Sequence, residues 1–92
     1  MFLSEEVHNF MEPMVEEEFS NRGIAQQYDN DYVQDLFCLT LNALPPRYLR
    51  HALDVRMNMT AGDRERLSQD IGHAIEQGHA ILRQGRRTAA RL

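Results

Sequence analysis

Apolar residues recur at helical spacing in three stretches of this chain, with glycine or proline between them. In the first, Val7, Phe10, Met11, Met14, Val15 and Phe19 form one stripe, which predicts a helix over residues 4–22. Ser4 is positioned to cap it, and Glu5 and Glu6 fall where the helix dipole favours acids. Glu16, Glu17 and Glu18 belong to its wet side. Pro13 lacks a backbone donor and predicts a bend near the first third, and Gly23 supplies a stop.

A polar connector over residues 24–30 precedes the second helix, expected over residues 31–44 with Asp29 or Asn30 as its cap. Val33, Leu36, Phe37, Thr40, Leu41 and Leu44 share a face, and Cys38 and Leu39 widen it. So broad an apolar arc predicts burial on more than one side, hence a partner helix from a second subunit. Pro45-Pro46 ends the helix. Residues 47–59 show no clean period and are expected to be extended or irregular. A third helix is expected from about residues 60–63 to 84, with Leu67, Ile71, Ala74, Ile75, Gly78, Ile81 and Leu82 inward. Gly78 either weakens it by about 1 kcal/mol against alanine or permits close approach of another backbone. The architecture expected is all-α: a small three-to-four-helix domain over residues 1–85, with a basic tail over 86–92. An intertwined or helix-packed homodimer is expected, because 92 residues cover their apolar surface poorly.

Charge sharpens this picture through its distribution. Residues 1–44 hold nine acids and one arginine, net −8, whereas residues 45–92 hold nine arginines and five acids, net +4. Every basic residue other than histidine is arginine, whose planar fork suits carboxylates, phosphates and base edges. Overall acidity argues against general nucleic-acid binding. No apolar run reaches the roughly 20 residues of a membrane helix. The acids at Glu5 and Glu6 stand where a secretory leader carries cations, so a soluble cytoplasmic protein is expected.

Few residues suggest catalysis. His73, Glu76 and His79 step by three, which fans them around a helix rather than converging them on a metal, so solvent-exposed histidines are expected. Cys38 sits among apolar neighbours, where burial would leave a thiol inert, and a packing role is expected. No phosphate loop, zinc-protease motif or nucleophile elbow occurs. Neither enzyme activity nor a cofactor is expected. The remaining chemistry is arginine near aromatic rings. Arg47, Tyr48 and Arg50 follow two prolines that fix the backbone direction, and Arg83 and Arg87 share a helix face. Such arginines can hold phosphates, while Tyr48 or Tyr28 can stack a base. The plainer role for either arginine group is a salt bridge to acids of the first helix.

The run Asp35 to Tyr48, with Leu41-Asn42-Ala43-Leu44-Pro45-Pro46-Arg47-Tyr48 at its end, resembles the signature D-x-x-A-L-A-L-N-x-L-P-P-R-Y of the late competence development protein ComFB family. Asn9, Met11, Glu12 and Val15 match that family's N-x-M-E-x-x-V helix, and Gln69-Asp70-Ile71 with Ala74-Ile75 resemble its terminal helix. Some members carry a cysteine cluster before the second helix, which implies structural zinc. Residues 28–34 contain no cysteine here, so that metal is not expected. The family's N-P-R ending is replaced by Arg83-Gln84-Gly85-Arg86-Arg87.

The resemblance implies an α-helical homodimer without catalytic activity, linked to competence, pili or motility. It also implies a candidate cyclic-dinucleotide receptor for c-di-GMP or c-di-AMP. The candidate ligand residues remain those of the arginine chemistry: Arg47, Tyr48, Arg50, Arg83, Arg87 and Tyr28. A twofold dimer suits a twofold ligand with two phosphates, and Asp35 or Glu12 could accept hydrogen bonds from a guanine edge. The competing expectation is a structural or adaptor module that binds only a downstream protein.

Overall fold

The computed structural model describes the backbone of residues 6–89, and their side chains except at 52 and 86–89. Among these residues the chain forms a short strand β1 (His8–Asn9), then α1 (Met11–Asn21), α2 (Ile24–Gln27) and α3 (Asn30–Ala43). Strand β2 (Tyr48–Leu49), α4 (Ala52–Asn58) and α5 (Ala61–Ala89) follow. The fold is all-α apart from one antiparallel pair, His8 opposite Leu49 and Asn9 opposite Tyr48.

α1 starts at Met11, well after the expected position, because His8 and Asn9 are spent on pairing with β2. Asn9 then caps the helix, its Oδ1 accepting the Met11 N–H at 3.2 Å. This start resolves Pro13, which falls in the first turn, where no N–H has an intrahelical acceptor. The expected Ser4 cap lies outside the described residues. At the other end Gly23 adopts a left-handed φ of 64°, reversing the chain into the single turn α2. Gln27 Nε2 donates to the carbonyls of Arg22 and Gly23, satisfying acceptors that the helix end leaves open.

Asp29 caps α3 by accepting the Tyr32 N–H at 2.8 Å, and Pro45-Pro46 lie just beyond its end. Its broad apolar arc is covered in part within one chain, with Val33, Phe37 and Leu41 only partly buried. Phe37 meets Phe19 of α1 edge-on at 5.5 Å, while Leu36, Leu39 and Thr40 are buried. Cys38 is exposed, contrary to its expected packing role, because it points between the two covered flanks. Thr40 satisfies its buried hydroxyl by donating to the Leu36 carbonyl at 2.7 Å.

α5 is the longest element and pairs most extensively with α3. The two run antiparallel: Tyr32 meets His79 near the start of α3, while Ala43 to Pro45 border Asp70 and His73 at its end. Gly78 sits at the crossing, where an added Cβ would lie 2.8 Å from Leu36 Cδ1, so the glycine serves close approach. Ile81, expected inward, is partly exposed. Thr60 and Asp63 cap α5 reciprocally: Asp63 N–H donates to Thr60 Oγ1 at 3.0 Å, and Thr60 N–H to Asp63 Oδ2 at 3.1 Å. Gly85 departs from helical geometry at φ −172° and ψ 74°, next to the expected helix end at 84. Residues 47–59, expected to be extended or irregular, hold the extended strand β2 and, contrary to that expectation, the helix α4. Pairing with β1 fixes the first, and contacts of Val55, Arg56 and Met59 with the body support the second.

Candidate functional site

The double proline aims Arg47 at the start of α1, and three contacts fix it there. Its N–H donates to Asn9 Oδ1 at 2.9 Å, its carbonyl accepts the Phe10 N–H at 2.6 Å, and its guanidinium carbon lies 5.6 Å above the Phe10 ring centroid. The residue as a whole remains exposed. Phe10 itself is buried, so the aromatic platform beneath the cation is rigid.

Arg47 borders an open cavity of about 550 Å³ between α4 and α5. Asp54, Val55, Asn58 and Met59 form the α4 wall; Asp63, Arg66, Leu67 and Asp70 form the α5 wall. The volume falls within the range of small-molecule sites. Arg66 is bonded to Asp63 at 2.7 Å. The Asp63 carboxyl is held below the ordinary aspartate range, first by the Thr60 backbone N–H, then by the Thr60 hydroxyl and by Arg66. The cavity therefore offers Arg47 for an anionic oxygen, Arg66 being already paired with Asp63, together with the Asp54 and Asp70 carboxylates, which can accept N–H groups of a base edge, and an apolar lining of Val55, Met59 and Leu67.

The described arginine and tyrosine candidates do not converge. Tyr48 and Arg50 adjoin Arg47 in sequence and are exposed, but neither borders the cavity. Tyr28 lies at the opposite end of α3, stacked on Tyr32 with centroids 4.6 Å apart. Tyr32 Oη is 2.7 Å from His79 Nδ1, completing an aromatic trio. Arg83 is exposed one turn beyond His79, and the Arg87 side chain lies outside those described. From Asp70 in the cavity to Arg83, α5 advances about 20 Å. One copy thus carries two separate poles.

Among the described residues the salt bridge to α1 is made by another arginine, Arg56, which pairs with Glu17, while Arg22 pairs with Glu18 within the last turn of α1 itself. Asp35 and Glu12 lie outside the Arg47 cavity. His79, expected in solvent, is half-buried against the tyrosines, whereas His73 is exposed with Gln77 Nε2 at 3.5 Å. Among the described residues no group of three or more histidines, cysteines or acids is placed to hold a metal ion. Among them, too, no helix is long and apolar enough to cross a membrane. Sequence reasoning missed Arg66, Asp54 and Asp70, whose approach to Arg47 depends on the fold of residues 48–59. The spacing of Arg66 and Asp70 on one helix face was a signal, but common to any charged helix.

The family profile described as "Late competence development protein ComFB" matches residues 8–86, most of the chain. No curated protein and no solved structure matches it.

Proposed function

Because the chain belongs to the late competence development protein ComFB family, we propose that it is a non-enzymatic cytoplasmic regulator that binds a cyclic dinucleotide, c-di-GMP or c-di-AMP, as a homodimer. A downstream protein partner then receives the signal. The observation that carries this reading is the fixed backbone of Arg47 beside a 550 Å³ cavity, with its exposed guanidinium held over the Phe10 ring at the cavity's edge. Asp54 and Asp70 supply acceptors for the N–H groups of a guanine edge, and the apolar lining suits a base face. A homodimer would place two copies of Arg47 against the two phosphates of one ligand.

Calorimetric titration of the protein with each cyclic dinucleotide tests this reading. Heat that saturates and is lost in Arg47→Ala is the expected result; no heat at tens of micromolar nucleotide overturns it. The variant is informative because the Arg47 backbone N–H and carbonyl, which anchor the fold, survive the substitution.

One observation favours the adaptor reading as an alternative. Tyr48, Leu53 and Met57 are 64%, 69% and 73% exposed on neighbouring elements. An apolar surface of this kind suits protein contact. On that reading Arg47→Ala would leave partner binding intact while Leu53→Asp abolishes it.

A further inference from the structure

α4 is joined to the body through Val55 and Arg56 and, just past its end, Met59. Val55 and Met59 turn towards the body, while Leu53 and Met57, roughly 200° around the helix from Val55, face outward and are largely exposed. The underside is incompletely filled. On one flank of Met59 lies the Arg47 cavity, and on the other a second cavity of about 390 Å³ that also includes Glu17, Arg56 and Leu67. Both ends of the segment are firmly held. β2 is paired to β1 before it, and the reciprocal Thr60–Asp63 cap fixes the start of α5 after it. Between those anchors Arg56 supplies the polar ties: its guanidinium meets Glu17 Oε2 at 2.5 Å, and its carbonyl accepts from Arg64 Nη2 at 3.0 Å. The ion pair is about 40% exposed at both partners, which makes it a weak tie in water.

We propose that α4 is a strap over the Arg47 cavity, latched to α1 by the Glu17–Arg56 ion pair. Breaking the latch lets residues 52–58 lift between their two anchors and opens the cavity along its α4 wall. The strap rests on the reading of that cavity as the ligand site only for its purpose, since its motion belongs to the chain alone.

Hydrogen exchange on the nucleotide-free full chain tests it. In Glu17→Gln, the amides of residues 55–59 exchange about two- to fivefold faster, the factor that loss of a half-exposed ion pair allows, while those of α3 are unchanged. The charge-swapped double variant Glu17→Arg, Arg56→Glu restores protection. A second readout uses Val55→Cys in a Cys38→Ser background: its labelling by a thiol reagent speeds by the same factor when Glu17→Gln is added. Equal exchange in wild type and variant, a parallel rise across α3, or unchanged labelling each overturn the strap. Absence of titration heat would instead overturn the nucleotide reading, so the two fail separately.

Discussion

Asn9 and Arg47, 38 residues apart, are joined through one side-chain oxygen: Asn9 Oδ1 accepts the Arg47 N–H at 2.9 Å and also caps α1 through Met11. Asn9→Ala removes the acceptor of both hydrogen bonds and is expected to cost about 1–2 kcal/mol. Arg47→Ala removes only the stacked cation and is expected to cost about 0.5–1 kcal/mol. Urea unfolding midpoints of the two variants check that order; the reverse order would refute it.

Gly78→Ala and Gly72→Ala are expected to differ in sign. A Cβ at Gly78 meets Leu36 Cδ1 at 2.8 Å, and Leu36 is fully buried, so the overpacking exceeds the helix-propensity gain by about 1 kcal/mol. At Gly72 the obstacle is the guanidinium of Arg22, 2.7 Å away, at the end of a flexible, part-exposed side chain. That side chain can move aside, so Gly72→Ala is expected to gain up to about 1 kcal/mol. Thermal unfolding of both variants decides.

Acid sensitivity is expected to carry a contribution from Asp63. Its folded-state pKa is lowered, so the stabilisation it brings is full above the ordinary aspartate value and is lost as pH falls through the lowered one. Asp63→Asn should therefore flatten this part of the acid limb, compared by unfolding midpoints between pH 6 and about 3. An unchanged acid limb would refute the assignment.

Cys38 is exposed and is expected to react with a thiol reagent, one equivalent per chain, without denaturant. Reaction only after unfolding would return it to the core.

The long helices were legible because their signals are local: Asp29, Pro45-Pro46 and the Thr60–Asp63 pair mark ends by chemistry within a few residues. β1, β2 and α4 were not. Two-residue strands are too short to display alternation, and their partners are about 40 residues apart in the chain. α4 has apolar residues on opposite faces, which blurs its period, and Arg56 finds Glu17 across 39 residues. Pro13 misled for a related reason: its cost depends on where the helix begins, and Asn9 sets that through β2. The candidate arginines were identifiable by type, yet their division between two ends of α3 follows from the antiparallel course of α5, which residue spacing alone leaves open.

That division makes stoichiometry diagnostic. A single chain presents the Arg47 cavity beside Asp70 and the Arg83 guanidinium some 20 Å further along α5. If both ends grip a messenger too short to span that distance, each molecule bound bridges two chains, and because every chain lends its two ends to different messengers, saturation comes at one messenger per polypeptide with the chains linked together. If only the proline-linked end does so, the ratio depends on whether two such ends share one ring, and Arg83→Ala will leave the titration curve where it was.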